Sequence, residues 1–268
     1  MLKPTKGWIS LNLGDLWQYR ELVYFLTWRD ILVRYKQTLL GAAWAIIQPL
    51  MQMVIFNFLF GNMAEISTGE VPRTIFTFSA LLPWNLFSKS LSDASRSLVS
   101  NRGMITKVYF PRLVIPLASI LSGLVDFLIA FVILAGMMVY YQVSVTSTIW
   151  ILPLVILFTL VLALGVGLWF SAWNLHYRDV GYFIPFLTQF WMLASPIAYP
   201  LSEIPQQWQT LYMINPMVGV VESFRWALVG GDPVPTLALI LTGGISIVVL
   251  VSGLFYFRRM ERTFADTV

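Results

Sequence analysis

The chain has 268 residues, of which 58% are hydrophobic and only 11% charged, against about 25% charged in an ordinary soluble domain. That balance excludes a water-soluble metabolic enzyme and a nucleic-acid-binding domain, and the absence of cysteine excludes a disulfide-stapled secreted module. The apolar residues gather in runs of about twenty, the length a helix needs to cross a hydrocarbon layer about 30 Å thick, so the chain reads as an all-α integral membrane protein. Its net charge of +4 acquires meaning only when the charges are placed.

In chain order, Met1 to Gly14 carries Lys3 and Lys6 but no apolar run ending in a small-residue cleavage site, so a retained N-terminus is expected. Residues 15–35 have helical periodicity without the character of a span. Arg20, Thr27, Asp30 and Arg34 share one stripe, Tyr24, Trp28, Ile31 and Tyr35 another, and Asp15 with Gln18 forms an N-terminal cap signal. A helix lying along the cytoplasmic interface fits this pattern, as does one packed on a neighbouring domain.

Six spans follow, at residues 40–60, 74–92, 113–141, 149–173, 182–195 and 235–257. Six crossings return the chain to the side on which it began. Fourteen of the 17 Lys and Arg residues fall on that side, with Arg73 and Arg225 clearly opposite, so both termini are expected in the cytoplasm.

The fifth span is short, since 14 residues from Tyr182 to Ser195 precede Pro196 and reach only about 21 Å. Residues 201–234 hold a second apolar stretch, Met217 to Gly230, also too short to cross. A short extracytoplasmic re-entrant helical hairpin between spans five and six is one reading; an extracytoplasmic loop with a surface helix is the other. Glu222 and Arg225, three apart on one helical face, neutralise one another in the first.

No GxxxxGK[ST], GxSxG or HExxH occurs, and the single histidine, His176, lacks carboxylate neighbours in sequence. Catalysis by this polypeptide, nucleotide binding and a zinc site are therefore not expected. Asp126, in mid-span, is the one acid at depth and appears without ionisable companions. A structural role, hydrogen-bonded to a neighbouring helix with Asn57 and Gln52 as partners by type, competes with a proton or cation path.

Among 11 Trp, 11 Tyr and 19 Phe, many lie at span ends, where interface belts place them. Phe56 with Phe60, and Trp84 with Phe87, are spaced to present rings to one side, either to lipid or to a lumen where they would stack on sugar faces. Two cytoplasmic segments mix charge with apolar residues as docking surfaces do: Ser100 to Pro111, and Leu175 to Gly181.

The runs WRDILVRYKQTLLGAAWAIIQPL (Trp28 to Leu50), SNRGMITKVYFPRLVIP (Ser100 to Pro116), NLHYRDVGYFIPF (Asn174 to Phe186), SPIAYP (Ser195 to Pro200), INPMVGVVESFRW (Ile214 to Trp226) and FRRMERTFAD (Phe257 to Asp266) occur in this order. Together they make the chain resemble the permease subunit of ABC-2 type polysaccharide exporters, above all those that move lipid-linked O-antigen. The resemblance implies an inner-membrane homodimer working with two copies of a separate ABC ATPase, which holds ATP and Mg2+, so no cofactor is expected in this chain. It implies ATPase-coupling and gate roles for Asn101, Arg102, Lys107 and Tyr109 after span two, and for Arg178 and Asp179 after span four. The implied cargo is a glycan on undecaprenyl diphosphate, whose headgroup Arg29, Arg34, Lys36 and Gly41 would attract. Spans one and five would wall the channel, with Phe56, Phe60, Trp84, Phe87, Trp191 and Tyr199 as lining candidates. Teichoic acid or capsule export, and a membrane-embedded polyprenyl-phosphate enzyme, are the alternatives; the lack of any acid from Ser95 to Pro116 argues against the enzyme.

Overall fold

The computed structural model describes residues 13–36, 41, 43–63, 71–177, 179–231, 233–261 and 264. Leu40, Arg178 and Arg262 lie outside the described residues, as do Lys3 and Lys6. Eleven α-helices and no strand are found among those described.

The amphipathic segment is two helices rather than one, α1 (Leu13–Gln18) and α2 (Arg20–Lys36), separated by a turn at Tyr19. Asp15 falls inside α1, so the expected cap does not start the long helix. Next comes α3 (Ala43–Phe56), with Pro49 in its interior, which runs into a π-helical stretch at Asn57–Met63. Pro49 removes one backbone donor from the interior of α3.

Helix α4 (Arg73–Ser100) has 28 residues, about 42 Å of helix, and continues eight residues past the expected end of span two. It is the central post. Most of its side chains are buried, and α3, α6, α7, α8 and α10 all pack on it. The short α5 (Arg102–Ile105) turns the chain into α6 (Val114–Tyr140), and α7 (Leu152–His176) returns.

Among the described residues, four stretches are long and apolar enough to cross a membrane: Ala43–Gly61, Val114–Tyr140, Ser147–His176 and Thr236–Glu261. The protein is a multi-pass membrane protein. Helix α8 (Val180–Leu193) stops short at 14 residues and ends in the turn before Pro196. Beyond it lie α9 (Gln206–Tyr212), α10 (Pro216–Val229) and the last helix, α11 (Thr236–Glu261).

Helix α10 is not a surface helix. Met217, Val218, Val220, Val221 and Phe224 are almost wholly enclosed, and the helix packs on α4, α7 and α11. Its start is written in the sequence, because the Asn215 side chain accepts from the Met217 N–H at 3.0 Å and Pro216 occupies the first helical position.

Between α7 and α11 the backbones touch. A Cβ on Gly253 would sit 2.5 Å from the Gly165 carbonyl oxygen, and one on Gly165 would sit 2.6 Å from the Leu250 nitrogen. Small residues permit this close approach where lipid supplies no hydrophobic drive for helix association.

Candidate functional site

One end of the protein is organised by α2. Its polar stripe turns inward: the Thr27 hydroxyl donates to the Val23 and Ala118 carbonyls, Asp30 accepts from Ser119, and Arg34 reaches α4 and α6. Its other face, with Tyr24, Phe25, Trp28 and Val33, is exposed. The helix is thus packed on its own protomer by charge and presents its rings outward.

At the centre of this packing sits Asp126. Arg34 Nη1 donates to its Oδ2 at 2.6 Å, Lys89 Nζ lies 2.5 Å from the same oxygen, and the Tyr35 hydroxyl donates to Oδ1. Arg34 Nη2 donates to Asp93 Oδ2 at 2.8 Å and to Ser122 Oγ at 3.2 Å. The expected partners of Asp126 are therefore wrong: Asn57 accepts from Thr77, and Gln52 accepts from Asn85. Nor is the acid alone. Lys89 and Asp93 belong to α4, one and two turns from Asn85, on a polar stripe with Ser88, Ser92 and Arg96 that the sequence displays at helical spacing. Burial, and then the Asp126 carboxylate, push the Tyr35 phenol above the usual tyrosine range, which keeps its proton available for donation.

Beside this cluster a cleft of about 420 Å3 opens between α3, α4 and α6. Trp44, Gln48, Asn85, Ser88 and Lys89 line it, with Gly41 and Asp126 at its edges. Gly41 has φ of +47°, a backbone conformation that favours glycine at the turn into α3.

Of the headgroup candidates, Arg29 and Arg34 are already occupied. Arg29 Nη2 donates to Asp30 Oδ1 and to Asn101 Oδ1, both at 2.8 Å. Lys36 is exposed at the end of α2.

The docking candidates divide by exposure. Tyr109 is 94% exposed, with Lys107 and Val108 exposed beside it, while Ile105 and Phe110 are buried beneath. Asn101 donates to the Ser97 carbonyl while accepting from Arg29, and Arg102 is half-buried. Asp179 is exposed at the start of α8, its carbonyl accepting from Tyr182 and Phe183. Arg112 binds Glu261 through both its backbone N–H and its guanidinium, so the end of α11 is fastened to the same corner.

The ring candidates assemble, though not as a lining. Phe56 stacks on Phe60 at 5.8 Å, Phe60 meets Tyr199 at 6.4 Å, and Phe87 bridges Trp84 at 5.7 Å and Trp191 at 5.0 Å. Trp84 and Phe87 are 2% and 0% exposed. The protomer itself encloses them, which corrects both the lumen and the lipid reading for that pair. Phe56 is nearly buried, and Phe60, Trp191 and Tyr199 remain partly open.

On the opposite end, Arg225 is held by Glu222 at 2.9 Å and by the carbonyls of Pro196 at 2.8 Å and Ile197 at 3.4 Å, and its guanidinium lies 3.6 Å from the Phe76 ring centre. One buried cation ties α10, the turn after α8 and the N-terminal end of α4 together. Among the described residues, no group of three or more His, Asp or Glu is placed to hold a metal ion.

Residues 21–229 match the family model described as ABC-2 type transporter. The chain belongs to that family. Full-length relatives agree with it: this ABC-2 subunit is 30% identical to the O-antigen export system permease protein RfbA of Klebsiella pneumoniae, covering 96% of this chain and 98% of that one. It is 28% identical to the protein of the same name from Myxococcus xanthus, over 95% and 98% of the two chains. Against the polysialic acid transport protein KpsM of Escherichia coli it is 27% identical, over 87% and 91%. An ABC-2 subunit is a transport protein, and ATP hydrolysis belongs to a separate chain.

Proposed function

We propose that this ABC-2 subunit is the permease of a polysaccharide exporter in the inner membrane, carrying an O-antigen type glycan linked to undecaprenyl diphosphate. The observation that carries the reading is the similarity to O-antigen export permeases over 98% of their length. Two copies form the channel and two copies of an ABC ATPase, with their ATP and Mg2+, drive it. Both termini face the cytoplasm, the side that the distribution of Lys and Arg supports, and the chain crosses the membrane six times.

Two exposed features support this reading. Tyr109, Lys107 and Val108 stand free above a buried foot of Ile105 and Phe110, and with Arg178 and Asp179 they form the ATPase-docking surface. ATP-driven changes in the partner then bias the permease between closed and open states, because each state contacts this surface differently. Lys36, exposed at the end of α2, attracts the anionic headgroup, while Arg29 and Arg34 hold the helix in place. Exposed apolar residues of α3, of the π-helical stretch that follows it and of α8, including Val54, Phe58, Phe186 and Phe190, face lipid and the second copy.

Capsular polysaccharide is a second cargo reading, favoured by the 27% identity to a polysialic acid transport protein. Reconstitution of the chain with its ATPase in vesicles tests both. ATP-dependent movement of undecaprenyl-diphosphate-linked O-antigen to the far side is the expected result. Movement of a capsule polymer but not of that lipid would shift the assignment to the second reading, and movement of neither would overturn both.

A further inference from the structure

The cleft beside Asp126 has a chemistry of its own. It lies within one protomer, and its volume of about 420 Å3 is in the range of about 300–1,000 Å3 typical of small-molecule sites. One wall is the polar stripe of α4, which brings Asn85, Ser88, Lys89, Ser92 and Asp93 to the cleft. Facing it are Gln48 and the indole of Trp44, which is 55% exposed.

Three ligand classes fit poorly. An anion gains little, because the formal charges of Arg34 and Lys89 are matched by Asp93 and Asp126 at contact distance. A metal ion lacks ligands, since no group of three acidic or histidine side chains forms among the described residues. A hydrocarbon chain would match the apolar part of the lining, Leu82, Leu86 and Phe127 among it, but would strip water from the amide, hydroxyl and charged groups of the α4 wall and leave them without new partners. An uncharged polyol suits all the surfaces at once. Its C–H face covers the apolar indole, and its hydroxyls both donate to carboxylate or amide oxygens and accept from amide or ammonium groups, all of which line this cleft.

We infer that the cleft is a saccharide subsite, in which Trp44 stacks on the sugar nearest the diphosphate while Gln48, Asn85 and Ser88 bind its hydroxyls. The inference rests on the polysaccharide reading above. It separates two recognition tasks: Lys36 attracts the charged headgroup from outside, and the electrically balanced cleft reads whether a sugar is attached to it.

The permease assembled with its ATPase in lipid nanodiscs provides the test, with stimulated ATP turnover read against two probes, undecaprenyl diphosphate alone and undecaprenyl diphosphate carrying one hexose. Trp44→Ala is expected to raise the half-saturating concentration of the hexosyl lipid about tenfold and to leave that of the bare lipid unmoved, with Trp44→Phe restoring most of the difference. Ser88→Leu, which fills the cleft from α4, should reproduce the loss and guards against a Trp44 variant that fails to assemble. Equal effects on both probes, or no effect of either variant on the hexosyl lipid, would overturn the subsite. A wild-type complex that responds to neither lipid would overturn the export reading first, and the subsite with it.

Discussion

Arg34 and Asp126, 92 positions apart in the chain, meet at 2.6 Å and join the interface helix to the middle of α6. The carboxylate is only 12% exposed and also serves Lys89 and Tyr35. Breaking a buried pair leaves an uncompensated charge, whereas replacing the whole pair by apolar groups removes the desolvation with it. Asp126→Leu alone should therefore destabilise the purified permease by about 3 kcal/mol. Asp126→Leu combined with Arg34→Met should recover part of that loss, read as thermal unfolding in detergent. Additive losses would show that the two side chains do not act as a pair.

At the opposite end from Asp126, Arg225 should resist conservative replacement. Its planar guanidinium serves Glu222, two carbonyls and the Phe76 ring together, and an ammonium matches neither the fork nor the stack. Arg225→Lys is expected to lower stability almost as much as Arg225→Met, by about 3 kcal/mol. Limited proteolysis between residues 201 and 215 should speed up in both. Wild-type cleavage rates in the Lys variant would sink this account.

Tyr109 and Phe110 are neighbours with opposite exposures, 94% and 5%. Tyr109→Ala should change the stability of the isolated permease by about 0.5 kcal/mol or less while weakening capture of the ATPase chain. Phe110→Ala should cost about 3–5 kcal/mol in the permease itself. Pull-down of the partner beside a melting curve separates the two effects, and an unchanged pull-down for Tyr109→Ala would remove it from the docking surface.

The touching backbones of α7 and α11 make Gly253 sensitive to a single methyl group. Gly253→Ala places a Cβ where only 2.5 Å separates it from the Gly165 carbonyl oxygen, so the helices must part. The expected destabilisation is about 1–3 kcal/mol, against little change for Gly136→Ala, where the added Cβ meets nothing within 4 Å. Equal melting temperatures for the two variants would contradict the close approach.

Much of the architecture could be read from periodicity. Apolar runs near Val114–Tyr140, Ser147–His176 and Thr236–Glu261 correspond to long helices, and the break before Pro196 ends α8, because hydrocarbon length and the missing proline donor act locally. The Glu222–Arg225 pair was equally legible, being one helical turn apart. The partners of Asp126 were not. Matching it by residue type to Asn57 and Gln52 ignored the stripe of Asn85, Ser88, Lys89, Ser92 and Asp93, which was visible at helical spacing and marks the face α4 turns toward the cleft. Likewise the i, i+3 spacing of Trp84 and Phe87 defines a common side but carries no information on what that side meets.

Composition and hydropathy by themselves determined a helical membrane protein with long apolar helices, since that follows from how a segment partitions between water and lipid. Only the tertiary structure decided that the charged stripe of α2 faces inward, that two cations and two acids cancel beside an open cleft, and that the rings of Trp84 and Phe87 are enclosed. Those are relations between helices far apart in the chain, set by which faces pack together, and in a bilayer every face of an apolar helix has a plausible partner until packing selects one.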